Sequence, residues 1–233
     1  MIYFNEEASV DYGRYRFGYS SWGIPENDGD IQTLYAKGYL PYSDNEKPLP
    51  VYYLCRSLRV SLSAFAQSSE NRRVIRKISE VGIVPVIKKI SAGESLADEN
   101  LITFFLNYFS TRHGEGVMSR ERIISLFEYS QHVYVTTYSH GDILLGAVIS
   151  QEVGTVVHYW FSAYSLEHPN LPIGMWLMLD FIESQKNRET EHVYLGTGYG
   201  QKALYKTNIE QLEYWNGQSW VKDHKTLKSL MNS

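Results

Sequence analysis

Apolar residues recur at helical spacing in several parts of the chain. In the segment 68–78, Val74, Ile75 and Ile78 form one apolar edge. Ser68 precedes this edge and is a candidate N-cap. Comparable spacing recurs in four other segments. The pattern predicts helices over residues 30–37, 68–78, 96–111, 121–129 and 172–184, with a short turn or helix over 202–205.

Between residues 132 and 164 the helical spacing gives way to β-forming runs. Three such runs follow one another, and the turns between them contain Gly141 and Gly154, which indicates an antiparallel meander. Pro85 interrupts another β-type run, and we place that run at a sheet edge because proline lacks a backbone donor. The predicted strands are 52–62 as a pair or one bent strand, 83–90, 132–138, 143–152, 155–164, 192–196 and a hairpin over 212–221.

The order of these elements predicts an α+β fold. From Phe104 onward the order is two helices, three antiparallel strands, a helix, a strand, a turn and a hairpin. This order resembles the GNAT-like acyltransferase fold, which implies a mixed, mostly antiparallel sheet flanked by helices. We expect a smaller N-terminal α/β domain with a basic segment over residues 1–88, and the acyltransferase domain over residues 89–233. The fold by itself does not determine the chemistry.

Composition narrows the class of protein. The 233 residues are 43% hydrophobic, which is enough for a substantial core, and the net charge of −4 excludes a wholly basic nucleic-acid-binding domain. No apolar run is long enough to cross a membrane, and the first ten residues lack the pattern of a secretory signal. We therefore expect a cytoplasmic protein with neither membrane nor DNA among its partners.

Basic residues are concentrated between positions 56 and 89. This segment has a local excess of +6, since eight Lys and Arg residues face only Glu70 and Glu80. Such a segment can contact a phosphate backbone, although on charge alone a salt-bridged surface is the more common explanation.

The loop at positions 165–174 bears on the acyl donor. Acetyl-CoA enzymes of the GNAT type present backbone N–H groups to a pyrophosphate at the matching position. Here the loop contains Pro169 and Pro172, which lack N–H groups, and Glu167, which would repel phosphate. The loop therefore disfavours CoA.

Four stretches, in order, resemble the arginyl-tRNA–protein transferase family and together span about residues 50–220. They are Cys55-Arg56-Ser57-Leu58-Arg59-Val60 with Ser68 to Arg73; Tyr108-Phe109-Ser110-Thr111-Arg112-His113-Gly114-Glu115-Gly116-Val117-Met118; the meander with Tyr134-Val135, Gly146 and Val156 to Ala163; and Tyr194-Leu195-Gly196 with Tyr205-Lys206 and Leu212-Glu213. The resemblance implies transfer of an amino acid from charged tRNA to an amine, such as the N-terminus of a protein or peptide in an N-degron pathway.

The chain departs from the family's pattern at three points, one of which is a loop over Thr197 to Leu204 that is shorter than the family's. Cys55 is the single cysteine, whereas an iron–sulfur cluster needs about four thiolates, so we expect no metal and no cofactor beyond the aminoacyl-tRNA. Ser162 stands where the family carries an acidic residue that would suit a cationic amino acid. The loss of this acid argues against arginine itself, and the donated residue stays open as arginine or another amino acid.

The resemblance also implies roles for individual residues. His113 is a candidate base or hydrogen-bond donor, or it fixes its loop; Tyr205 stacks on a base or packs; and Lys206 contacts the tRNA end or extends to solvent. His158 and Trp160 are predicted to alternate with Tyr159 and Phe161 on opposite faces of one strand. The candidate site residues are His113, Tyr205 and Lys206 for catalysis; Arg59, Arg72, Arg73, Arg76 and Arg112 for tRNA or acceptor binding; and Trp160, Ser162 and Tyr194 for the donor pocket.

Two alternatives stay open at this point. The first is a GNAT-type enzyme that uses acyl-CoA or an acyl carrier and has no need of the basic segment. The second is a non-catalytic module that binds tRNA or peptide with a salt-dependent affinity.

Overall fold

The computed structural model describes residues 1–11, 16–43, 50–186 and 188–232. The helices are α1 Asp28–Ala36, α2 Ser69–Glu80, α3 Ala92–Leu96, α4 Glu99–His113, α5 Arg120–Glu128, α6 Ile173–Ser184 and α7 His224–Asn232, together with a 3₁₀ helix Gln201–Asn208. The strands are β1 Ile2–Asp11, β2 Arg16–Ile24, β3 Tyr39–Pro41, β4 Tyr52–Leu54, β5 Ser57–Ser61, β6 Val86–Ser91, β7 Val133–His140, β8 Ile143–Val153, β9 Val156–Tyr164, β10 His192–Thr197, β11 Leu212–Trp215 and β12 Trp220–Val221.

Polar side chains mark where the helices begin. Ser68 accepts a hydrogen bond from the backbone N–H of Asn71, as the sequence predicts for the start of α2. Asp98 and Ser119 cap α4 and α5 in the same way. The helical spacing and the capping residues therefore act together to fix these elements.

The strands form two sheets. The smaller sheet has the order β1-β2-β4-β3, and the larger has the order β12-β11-β5-β10-β9-β8-β7-β6. Neighbours in the larger sheet are antiparallel except β9 and β10, which run parallel. This mixed, mostly antiparallel sheet with flanking helices confirms the predicted α+β class.

Helices cover both faces of the larger sheet. On the face that we call the α6 face, α2, α6 and α7 pack on residues such as Leu58, Val148 and Leu195. On the opposite face, which we call the α4 face, α4 and α5 pack on Val135 and Ile149. Further along the α4 face, α1 and residues of the smaller sheet form a third cluster.

The parallel pair β9 and β10 separates partway along its length. Pairing runs from His192 opposite Val156 to Tyr194 opposite His158, and both strands continue beyond that point without further pairing to each other. A gap therefore opens within the sheet, and it determines where the cavity lies.

Sequence reasoning finds most of these elements. It did not predict the hairpin of β1 and β2, strand β3, the short helix α3 or helix α7. The boundary near Lys88 lies inside β6, and β5 from the N-terminal part lies within the larger sheet between β11 and β10. The division into two separately folding domains stays a prediction.

Candidate active site

A cavity of about 740 Å³ lies in the gap between β9 and β10. Side chains from both faces of the sheet and from the 3₁₀ helix contribute to it. The lining residues that carry the argument are Arg112 and His113 of α4, Tyr159 to Ser162 of β9, Met175 and Met178 of α6, Leu195 of β10, and Lys202, Tyr205 and Lys206 of the 3₁₀ helix.

A β-bulge shapes the β9 wall of the cavity. Ile149 pairs with Phe161 and the next residue, Ser150, pairs with Tyr159, so Trp160 is the extra residue. Because of the bulge, Trp160 and Phe161 both pack on the α4 face. The predicted strict alternation of His158 and Trp160 against Tyr159 and Phe161 is therefore wrong at Phe161.

Lys206 lies where the two strands separate. Its Nζ donates to the backbone oxygens of Leu195 at 2.7 Å and Thr197 at 3.3 Å. Gly196, with φ of 77°, lies in a register irregularity between Tyr194 and Thr197, and the carbonyls on either side of this glycine hold the ammonium. Burial lowers the pKa of Lys206 to about 8.

Lys206 has no carboxylate partner among the residues that the structure describes. An ammonium has three N–H donors, and two of these are used by the two carbonyls. Since Lys206 lines the cavity, the third donor is available to a bound molecule.

The charge of the cavity has one sign. Arg112, His113, Lys202 and Lys206 line it, and in the described part of the chain no Asp or Glu does. Burial, together with the charges of Lys202 and Arg112, lowers the pKa of His113, so its imidazole is neutral near pH 7. The cavity therefore favours anionic or neutral ligands and disfavours cations.

Apolar and aromatic side chains form much of the remaining wall. Phe109, Phe161, Met175, Met178 and Leu195 all contact the cavity. Met175 and Met178 lie one turn apart on α6, and methionine adapts readily to differently shaped apolar groups. The cavity can therefore enclose an aliphatic or aromatic group.

Six of the predicted site residues line this cavity, although they come from three distant parts of the sequence. They are Arg112, His113, Trp160, Ser162, Tyr205 and Lys206. Their catalytic and binding roles stay predictions.

Two other predicted residues are engaged elsewhere. Arg59 forms an ion pair with Glu213 at 2.7 Å, and its guanidinium lies 4.1 Å from the ring centroid of Trp220. Tyr194 is 1% exposed and packs against Tyr35 with ring centroids 4.7 Å apart. The structure does not bring either residue into the cavity wall.

The three arginines of α2 lie on the outer surface of that helix. Arg72 donates to the backbone oxygen of Gln67, while Arg73 and Arg76 form exposed ion pairs with acidic residues of the same helix. Exposed pairs of this kind are worth roughly 0–1 kcal/mol, so they can be exchanged for a phosphate contact. These arginines form a surface apart from the cavity lining.

His158 belongs to a buried polar network next to the cavity. Tyr35 Oη lies 2.7 Å from Gln151 Oε1 and 3.0 Å from His158 Nδ1, and Tyr52 also donates to Gln151. Burial lowers the pKa of His158 to about 3, so the imidazole is neutral. His158 therefore has a structural role in the sheet, as its position within a strand favours.

Sequence reasoning missed several lining residues, including Tyr159, Phe109, Met175, Met178 and Lys202. Their side chains are typical core or surface types, and no local motif marks them. A signal was available for Met175 and Met178, because both lie in the first two turns of a helix that follows the last strand of the meander.

Three general features of the described residues complete the description. No cluster of three or more His, Cys, Asp and Glu side chains suited to a metal ion occurs among them. Within the same described ranges, no helix combines the length and apolarity required to traverse a bilayer. Cys55 is buried, and burial raises the pKa of its thiol to about 12.

Comparison with known proteins identifies the family. A family profile described as the acetyltransferase (GNAT) domain matches residues 68–207. The aspartate/glutamate leucyltransferase of Marinobacter nauticus is 30% identical over 174 residues, which cover 71% of this chain and 70% of that protein. The chain belongs to the aspartate/glutamate leucyltransferase family.

A second relative carries the same family name, and one solved structure shares the fold. The aspartate/glutamate leucyltransferase of Ruegeria sp. (strain TM1040) is 27% identical over 178 residues, covering 72% of this chain and 61% of that protein. The chain thus spans less than two thirds of that relative. A conserved protein of unknown function from Bacteroides thetaiotaomicron, at 8% identity and a TM-score of 0.50, covers 80% of this chain and 63% of its own and supports the fold alone.

Membership of the leucyltransferase family settles several sequence predictions. The GNAT-like fold and the acyltransferase class of enzyme are confirmed. The predicted resemblance to arginyl-tRNA–protein transferases is confirmed only for the broader class, since both families are named for the transfer of an amino acid. Arginine as the donated residue and a cytoplasmic location stay predictions.

Proposed function

We propose that this enzyme transfers an apolar amino acid, such as leucine, from aminoacyl-tRNA to the α-amine of a peptide or protein that begins with Asp or Glu. The observation that carries the proposal is the cavity in the split between β9 and β10, which combines apolar walls with four basic side chains and, among the described residues, no acidic one. The name of the relatives, aspartate/glutamate leucyltransferase, supports both the donor and the acceptor class.

The apolar wall favours the donor side chain. Met175, Met178 and Leu195 provide an aliphatic surface, and burying a leucine-sized side chain contributes roughly 1.5–3 kcal/mol. An arginyl side chain would place a guanidinium near Arg112 and Lys202 without a carboxylate partner, which is unfavourable. Ser162, at the position where a cationic donor would call for an acid, is consistent with an apolar donor.

The basic residues favour the acceptor side chain. Arg112 and His113 lie at the carboxyl end of α4, and Lys202 lies at the start of the 3₁₀ helix. Arg112 has no ion-pair partner among the described residues, so its planar guanidinium is available to a carboxylate. An acceptor beginning with Asp or Glu provides that carboxylate next to its α-amine.

The proposed reaction needs positioning more than activation, because an aminoacyl ester is already reactive toward a neutral amine. The amine nitrogen attacks the carbonyl carbon, a C–N bond forms, the ester C–O bond breaks, and the proton lost by the amine ends on the departing ribose oxygen. The cavity holds the reactants close together. The third N–H of Lys206 stabilises the negative charge that develops on the carbonyl oxygen.

The tRNA body is proposed to contact the surface of α2. Arg72, Arg73, Arg76 and Lys77 are exposed along this helix, and they require no rearrangement of the core to meet phosphates. This assignment retains the predicted tRNA-binding role of the basic segment, except for Arg59, which is engaged with Glu213.

A transfer assay tests the proposal. Purified protein is given a peptide that begins with Asp, together with labelled leucyl-tRNA or, in a parallel reaction, labelled acetyl-CoA. The proposal predicts label in the peptide only from leucyl-tRNA. Label only from acetyl-CoA would show that the GNAT domain uses a different donor, and tRNA binding without transfer would favour a non-catalytic module.

A further inference from the structure

The hydroxyl group of Tyr159 is buried in the cavity wall without a hydrogen-bond partner. Tyr159 is 4% exposed, and its Oη has no partner in hydrogen-bond geometry among the described residues; the neighbouring side chain of Ser162 is near enough to interact with it but does not complete a hydrogen bond. Its ring is fixed by an edge contact with Phe181 of α6, with centroids 5.3 Å apart. A buried hydroxyl without a hydrogen-bond partner costs free energy of folding. Its presence in a cavity wall therefore points to a ligand atom that supplies the missing hydrogen bond.

The position of Tyr159 relates this hydroxyl to Lys206. Tyr159 follows His158, the last residue of β9 that pairs with β10. The next residue of β10 after the paired Tyr194 is Leu195, whose carbonyl holds Lys206. Tyr159 and Leu195 both face the α6 side, so the hydroxyl and the ammonium lie on the two strands that border the gap.

An aminoacyl group offers two polar atoms to these two side chains. Its carbonyl oxygen becomes negative during transfer and suits the cationic Lys206. The positive charges of the cavity disfavour a protonated α-ammonium, so the α-nitrogen binds as a neutral amine and suits a neutral hydrogen-bond acceptor. The hydroxyl oxygen of Tyr159 has lone pairs, and burial raises the pKa of its phenol, so it stays neutral.

We propose that Tyr159 is a specificity-determining residue whose Oη accepts a hydrogen bond from the α-amine of the donor aminoacyl group. The side chain of Ser162 lies beside Tyr159 and provides a second neutral oxygen. This inference rests on the proposed function. It explains how the site distinguishes an aminoacyl donor from a simple acyl donor of the same shape, since a site that is built to bind a polar group disfavours an analogue that lacks it.

The experiment compares leucyl-tRNA with isocaproyl-tRNA, which carries the same acyl chain without the α-amine. The wild type is expected to prefer leucyl-tRNA in kcat/KM, and Tyr159→Phe is expected to reduce that preference by about tenfold, the effect of one hydrogen bond to a neutral group. An unchanged preference in Tyr159→Phe, or an equal loss with both donors, would overturn the inference while leaving the proposed function intact. Failure of the wild type to transfer leucine at all would overturn the proposed function and this inference with it.

Thermal stability separates this role from a structural one. Tyr159→Phe removes a hydroxyl that has no partner, so its Tm is expected to equal or exceed that of the wild type. Tyr35→Phe is the matched control, because the equally buried Tyr35 hydroxyl is bonded to Gln151 and His158 and lies outside the cavity lining. This control is expected to lower Tm and to leave the donor preference unchanged. A loss of Tm in Tyr159→Phe as large as in Tyr35→Phe would show that the hydroxyl is needed for the fold, and would overturn the assignment.

Discussion

Replacing Lys206 with methionine is expected to separate activity from stability. The lowering of its pKa from 10.5 to about 8 means that holding the charged ammonium in the folded protein costs about 3 kcal/mol at neutral pH, at about 1.36 kcal/mol per pH unit. Lys206→Met removes this cost. It also leaves the carbonyls of Leu195 and Thr197 without their donor, at roughly 1 kcal/mol each. The free energy of unfolding should therefore stay within about 2 kcal/mol of the wild type.

Activity should respond very differently. If the third N–H of Lys206 stabilises the oxyanion, its loss is expected to lower kcat by about 100- to 1,000-fold, the range seen when one such donor is removed. Single-turnover transfer of labelled leucine and urea denaturation of the same preparations measure the two effects. Lys228→Met, in the exposed surface of α7, is the control and should change neither quantity.

The pH dependence of stability gives an independent check. Because the pKa of Lys206 is lower in the folded than in the unfolded protein, the unfolded state binds more protons between about pH 8 and pH 10.5. The contribution of Lys206 to stability therefore rises with pH in that window, and Lys206→Met should lose that rise. A folded Lys206→Met enzyme with more than a tenth of wild-type activity would refute the reasoning.

Three further predictions follow from the same structure. The rate of transfer should be highest near pH 8, because the reaction needs a neutral acceptor amine and a charged Lys206. Lys206→Arg should abolish the decline in rate at alkaline pH, since arginine stays charged. A decline that persists in this variant would show that another group causes it. Replacing both Arg72 and Arg73 with glutamine should weaken tRNA binding while leaving Tm unchanged. Binding titrations at several salt concentrations should show that the slope of log K against log salt falls in magnitude by up to about 2. An unchanged slope would show that α2 does not contact the tRNA. Gly38→Ala should destabilise the fold by more than about 1 kcal/mol in denaturant unfolding, because φ is 82° and the added Cβ would lie 2.3 Å from the ring of Trp215; a neutral effect would contradict that packing.

The sequence predicted the elements well where local signals are strong. The meander was found because strand-forming runs alternate with turns at Gly141 and Gly154, and the start of α2 because Ser68 precedes an apolar edge. The hairpin of β1 and β2 was missed. The insertion of β5 between β10 and β11 depends on pairing between residues far apart in the chain, which no local pattern reveals.

The candidate site shows the same division. Arg112, His113, Tyr205 and Lys206 were singled out by resemblance, and the fold brings them to one cavity. Tyr159 was missed because a buried tyrosine in a strand is usually a packing residue, and only the structure shows that its hydroxyl lacks a partner.

Two misplacements have a common physical cause. The bulge at Trp160 depends on the register with β8, which cannot be read from β9 alone. Likewise, Arg59 is paired with Glu213 across two neighbouring strands, an ion pair that depends on the order of strands in the sheet. Both features require the three-dimensional pairing before they can be assigned.

The central claim is that the cavity selects an apolar donor and an acidic acceptor, and a competition assay tests it most directly. Leucyl-tRNA and arginyl-tRNA are supplied together at equal concentration with peptides that begin with Asp or Ala, and mass spectrometry identifies the amino acid added to each peptide. The account predicts leucine on the Asp peptide and little addition to the Ala peptide. Arginine as the main product, or equal addition to both peptides, would contradict it.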